Sequence, residues 1–159
     1  MKHNENSRVK IPALVHLTRL GYEYLSLKNY HGIIHPDTNI FVDIFRESIS
    51  CINGKTLSEQ DATALISELS IKISNEDLGK AFYNILLNGI NGIRLIDFEN
   101  SSRNTYHVVT ELTYRNGDDE FRPDIILLIN GMPLSFVEVK KPKATPHKCH
   151  NPHYTTGAE

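Results

Sequence analysis

Apolar residues recur at helical spacing through the first half of the chain. Val9, Ala13, Leu14, Leu17 and Leu20 fall on one helical face. Asn6 or Ser7 stands where an N-cap belongs, Pro12 is early enough for a first turn, and Gly21 supplies the stop. Tyr22 to Leu27 predicts a short strand, followed by a polar loop over 29–37. Asp37 or Thr38 is expected to open a second helix, with Ile40, Phe41, Ile44, Phe45 and Ile49 on one face and Asn53-Gly54 at its end. Ser58-Glu59-Gln60-Asp61 has the form of a capping box and predicts a third helix through Ala64, Leu65 and Leu69. Asn75 opens a fourth, carrying Leu78, Ala81, Phe82, Ile85 and Leu86 and closing at Asn88-Gly89.

From Gly92 the period shortens towards two, the spacing of strands. Strands are expected over 93–98, 106–114, 125–129 and 134–140, with a polar turn over 115–120 and a second turn at Asn130-Gly131-Met132-Pro133. Ile125 to Ile129 is an unbroken apolar run, as in a strand covered on both faces. Helices first and a hairpin-rich sheet afterwards indicate an α+β or mixed α/β fold, a mixed central sheet flanked by helices. After Lys141 large apolar residues become scarce and prolines frequent. The expected organisation is one domain over 1–143 and a poorly ordered tail over 144–159.

Composition narrows the classes. A chain of 159 residues, 40 % apolar and 23 % charged, can bury a core without disulfides or structural metal. The net charge of −2 argues against a strongly basic nucleic-acid coat. No apolar run approaches the roughly 18 residues of a membrane span, and the polar start of the chain has no signal-peptide core. Cys51 and Cys149 lie far apart, which fits a reducing cytoplasm rather than a disulfide framework.

The charge is unevenly spread. Over 121–143, four cations (Arg122, Lys140, Lys141, Lys143) face two carboxylates (Asp124, Glu138), a net of +2. The remaining 13 basic and 17 acidic residues leave −4 elsewhere.

Chemistry gathers on Asp124, Glu138 and Lys140. In the strand Leu134 to Lys140, alternation sends Glu138 and Lys140 to the same face. Asp124 lies seven residues before Gly131 and Glu138 seven after. In an antiparallel hairpin the two carboxylates therefore fall within about one rung of each other. An odd loop puts them on one face; a two-residue Asn-Gly turn, or a four-residue loop ending at Pro133, puts them on opposite faces unless the strand bulges. The loop count stays open at this level. Close carboxylates repel, and a hard divalent cation such as Mg²⁺ or Mn²⁺ is their natural compensation. A neighbouring lysine then suits water activation at a phosphodiester. On spacing alone, a surface ion pair at strand ends is an equal reading.

Arg122-Pro123-Asp124 followed by Glu138-Val139-Lys140 resembles the PD-(D/E)xK nuclease pattern. The longer stretch RPDIILLINGMPLSFVEVKKP, with Asn104 to Val109 before it, is similar to the N-terminal endonuclease domain of the R subunit of type I restriction enzymes. HLTRLGYEY and Ile96-Asp97-Phe98 with Asn100 also resemble that domain, so the likeness covers about 7–143. The resemblance implies a restriction-endonuclease-like core. It makes Asp124 and Glu138 metal ligands, with the Val139 backbone carbonyl assisting, and Lys140 the catalytic lysine. It also implies Mg²⁺-dependent cleavage of double-stranded DNA. ATP-driven translocation belongs to further domains, and site recognition to specificity and methylation subunits.

The chain departs from that pattern in two places. Related folds carry an acidic residue on the first helix, where this sequence offers Lys10, His16 and Arg19, leaving Glu5 as a weak candidate. The glutamine-to-tyrosine helix expected after the lysine strand is missing. No G-x-x-x-x-G-K-[ST] loop is present, so ATP hydrolysis by that route is not expected from these residues.

Other residues carry weaker signals. Arg122, Lys141 and Lys143 are candidate DNA contacts; Arg122 can equally pair with an acid, and the two lysines can equally be solvated. Glu111 can sit near the site from its place on an apolar strand, but a solvent-facing position is the favoured reading. His147, Cys149, His150 and His153 match no zinc spacing, and His31 and His35 read as loop histidines. The alternatives to the restriction nuclease are a repair or junction nuclease, and an inactive DNA-docking or assembly module of the same fold.

Overall fold

A computed structural model of the chain describes residues 9–74, 77, 79–116 and 119–140. Asn6, Ser7, Asn75 and Leu78, together with Glu5, Lys141, Lys143 and the tail with its histidines and Cys149, lie outside the described residues.

The first helix, α1 (Ile11–Arg19), carries Pro12 in its first turn and leads to β1 (Glu23–Tyr24). Three further helices follow: α2 (Val42–Asn53), α3 (Glu59–Ile73) and α4 (Lys80–Asn88). A short 3-10 turn at Ser101–Arg103 precedes β2 (Tyr106–Thr110), β3 (Tyr114–Asn116), β4 (Asp119–Phe121), β5 (Ile125–Ile129) and β6 (Met132–Val137). The main sheet has the order β1-β2-β5-β6, with β1 parallel to β2 and the other pairs antiparallel; β3 and β4 form a separate hairpin. The fold is thus mixed α and β, with helices on both sides of a mixed sheet.

The central strand β5 shows why its sequence is unbroken. Ile125 packs with Val108 and Val139 against Val9, Ala13, Leu14 and Leu17 of the α1 segment. Ile126 and Leu128 point the other way, onto Phe41, Val109 and Leu112. Ile125, Ile126 and Leu128 are all fully buried, so each successive side chain meets a covered face. A larger cluster joins α2, α3 and α4 through Phe45, Ile49, Ile52, Leu65, Ile66 and Leu69, with Phe82, Ile85 and Leu86 packed against it. Ser58 caps α3 by accepting the Asp61 N–H at 3.1 Å, as its position before the apolar run implied.

Several local expectations are corrected. The last strand runs over Met132–Val137 rather than 134–140, so Glu138 and Lys140 follow it, and the fourth helix begins at Lys80 rather than at Asn75, behind a left-handed Gly79. The second helix begins at Val42, not at Asp37 or Thr38. Ahead of it the Thr38 hydroxyl accepts the Ile40 N–H, and Asn39 takes a left-handed backbone. The Phe41 N–H goes to the Gly131 carbonyl at 2.9 Å rather than into a helix. Ile93 to Phe98 is not a strand. Asn53 takes up both backbone groups of Arg94, and Asp97 accepts the N–H groups of Glu99 and Asn100, so no ladder forms. The strand expected over 106–114 ends at Thr110, since Glu111 has φ 66, outside any strand geometry. The expected polar turn over 115–120 instead contributes to the β3–β4 hairpin, with Tyr114 paired to Phe121.

Candidate functional site

The turn joining β5 to β6 is the two-residue Asn130-Gly131, because Ile129 pairs with Met132. Both turn residues have positive φ, 53 and 77, the geometry of a tight hairpin that follows strand twist. By itself this turn would put Asp124 and Glu138 on opposite faces. The register shifts, however, between Leu127 and Leu128: Leu128 pairs with Pro133 and Leu127 with Ser135, leaving Leu134 as an extra residue. Below the bulge Ile125 pairs with Val137, the last pair of the ladder, so Asp124 and Glu138 are the residues that come next, just past the ends of the two strands. The bulge restores what the turn alone would have undone.

Across the sheet the same arithmetic holds on the other side. Thr110 pairs with Ile125, and just past the end of β2 Glu111 shares the Lys10 ammonium with Asp124. Three carboxylate-bearing residues therefore stand just past the ends of three adjacent strands at one rim. Their environments differ. Asp124 is partly buried, and its Oδ2 accepts the Val139 N–H at 3.0 Å. That bond ties the start of one motif half to the middle of the other. Glu138 and Lys140 are exposed, while Val139 between them is buried.

Two cations neutralise the inner part of the rim. Lys10, at the start of α1, is only 8 % exposed, and its Nζ lies 3.7 Å from Glu111 Oε1 and 3.9 Å from Asp124 Oδ1. A cation at a helix N-terminus opposes the helix dipole, and a buried ammonium requires partners. The two carboxylates answer both costs. Arg122 Nη2 donates to Glu111 Oε2 at 2.9 Å, so of the two roles open to Arg122 the acid pair is the one formed. Glu111 accordingly joins the rim even though it is also exposed.

Lys10 is the rim residue that sequence reasoning missed, whereas Glu111 is both exposed and at the rim, so each of its two readings holds in part. Lys10 had no signal beyond its place on the first helix. Among the described residues, no three His, Cys, Asp or Glu side chains converge closely enough to hold a metal ion. A Mg²⁺ ion commonly keeps several waters and needs only one or two carboxylates. Asp124 and Glu138 have the chemistry such an ion would need, two carboxylates following one another across the ends of β5 and β6.

A family model described as the type I restriction enzyme R protein N terminus matches residues 2–154. This chain belongs to that family. The MjaIXP type I restriction enzyme endonuclease subunit of Methanocaldococcus jannaschii is 33 % identical over 97 % of the chain, which spans 17 % of that protein. The HindI type I restriction enzyme endonuclease subunit of Haemophilus influenzae is 30 % identical over 87 % of the chain, which covers 15 % of its length. The chain thus corresponds to a small part of these R-protein relatives. Among the described residues no helix is long and apolar enough to cross a membrane.

Proposed function

We propose that this chain is the nuclease domain of a type I restriction enzyme R subunit and hydrolyses DNA phosphodiester bonds in the PD-(D/E)xK manner. The observation that carries the reading is the joining of the two motif halves by the bond from Val139 N–H to Asp124, next to the Ile125–Val137 pair. Membership of the R-protein family supports it, as do relatives named endonuclease subunits.

In this reading Asp124, Glu138 and the Val139 carbonyl hold Mg²⁺, or Mn²⁺ in its place. When bound, the ion supplies Lewis-acid stabilisation of the charge building on the phosphate. Lys140, two residues after Glu138 and past the end of β6, orients the attacking water and offsets charge on the phosphoryl oxygens. Lys10 and the Val139 N–H hold Asp124 in place. Lys141 and Lys143 meet the DNA backbone, while Arg122 stays paired with Glu111. ATP-driven translocation and pairing with specificity and methylation subunits belong to the longer subunit, working in the cytoplasm.

Calorimetric titration of Mn²⁺ into the chain without DNA tests the centre. Wild type binds, and Asp124→Asn and Glu138→Gln each weaken binding about tenfold or more. The second reading, an inactive docking or assembly module, is favoured by the Lys10 ammonium 3.9 Å from Asp124, a cation already at the ligand. Equal, negligible Mn²⁺ binding by wild type and both variants would establish that reading instead.

A further inference from the structure

A polar cleft of about 460 Å³ opens beside the rim, between the end of β1 and the Glu111–Arg122 ion pair. Tyr24, Ser26 and Lys28 form one wall, and Thr110, Glu111 and Arg122 the other. We propose that this cleft takes one unpaired DNA nucleotide, with its base stacked on Tyr24 and its phosphate on Lys28. The inference rests on the nuclease reading and adds to it the form of DNA that the domain accepts.

Three observations support it. Tyr24 is 49 % exposed, although its hydroxyl lies 3.4 Å from Thr110 Oγ1. The contact anchors the ring at its tip, and much of the ring remains open to the cleft. Every base has a π-face that can stack on such a ring. In a duplex both faces of a base are covered by its neighbours, so a single aromatic in a cleft reaches only a base that has left the stack.

The electrostatics point the same way. Arg122 is engaged by Glu111, and Asp124 by Lys10. These pairs cancel most of the rim charge. Lys28 is exposed and forms no ion pair among the described residues, which leaves it as the surplus positive charge at the cleft. Glu23, next to Tyr24, alternates to the opposite face of its strand and pairs in register with His107, away from the cleft. Finally, the cleft shares Glu111 and Arg122 with the rim, so a nucleotide held there sits in the strand that runs past Asp124.

Fluorescence anisotropy in EDTA, using a labelled 12-nucleotide single strand and a blunt hairpin duplex, tests the proposal without any metal. Wild type should bind the single strand more tightly than the duplex. Tyr24→Ala should weaken single-strand binding about fivefold or more while leaving duplex binding unchanged, and Tyr24→Phe should stay near wild type. Lys28→Ala should weaken binding and lower its salt dependence; Lys55→Ala, on the distant α2–α3 surface, should do neither. Melting temperatures of the variants report that each is folded. Equal affinity for the two DNA forms, or Tyr24→Ala binding both as wild type does, would overturn the inference. The Mn²⁺ titration reads Asp124 and Glu138 independently, so a failure of this cleft is distinguishable from a failure of the nuclease centre.

Discussion

Asn130 holds three segments together from one buried position. Its Nδ2 donates to the Leu95 carbonyl at 2.8 Å and to Asn104 Oδ1 at 2.9 Å, and its Oδ1 accepts the Thr105 N–H at 2.8 Å. It is fully buried and left-handed, which suits asparagine better than any β-branched residue. Asn130→Ala strands several buried polar groups, and urea denaturation should show a loss of about 2–4 kcal/mol. His107 makes a second residue-scale case. Burial pushes its pKa below the ordinary value of 6.5, against the opposing charge of Glu23, and its buried Nδ1 finds no hydrogen-bond partner among the described residues. Between 6.5 and the lower folded value, the unfolded chain binds a proton that the folded chain refuses. Stability should therefore fall as pH drops below about 6.5 and level off beneath the folded value. In urea melts at pH 7.5 and 5.5, His107→Leu should lose less stability between the two than wild type does. Neither residue was legible in the sequence, because a lone Asn or His takes its meaning from groups distant along the chain.

At the scale of elements, the β5–β6 hairpin decides the site. Gly131 has φ 77, and a Cβ there would lie 2.7 Å from the Phe45 nitrogen and 2.8 Å from the Phe41 carbonyl oxygen. Backbone cannot yield as a flexible side chain can, so Gly131→Ala should cost about 3 kcal/mol or more in chemical denaturation and loosen the start of α2 against the turn. The existence of α1, α3, β5 and β6 was readable, because each carries an apolar period strong enough to stand alone. The start of α2 was not. Ile40 and Phe41 fit its apolar face, yet their backbone groups bond to His35 and to Gly131. Residues 93–98 alternate like a strand, but they find side-chain partners in Asn53 and Asn104 instead of a neighbouring strand. The bulge at Leu134 leaves no mark in composition, and only the pairing on either side of it fixes the facing of Glu138.

For the molecule as a whole, the net charge of −2 and the small basic strip set the expected DNA behaviour. Few phosphate contacts mean weak binding that does not depend on sequence and fades as salt rises, with a shallow slope of log affinity against log salt. Incubated with plasmid and Mg²⁺, the 159-residue chain should cut little or not at all, since translocation and recognition belong to the longer subunit of the proposal. Specific cutting by the chain alone would contradict this. Local periodicity, capping residues and the Asp124…Glu138-Val139-Lys140 spacing were written in the order of the residues, since each depends on neighbours a few positions away. The tertiary structure decided the rest. It brought Lys10 from the first helix to Asp124, set Glu111 beside it and re-aimed Glu138 through one extra residue. Those contacts join positions as much as 114 residues apart, from Lys10 to Asp124. Burial and strand register create them, and neither is a property of any short segment.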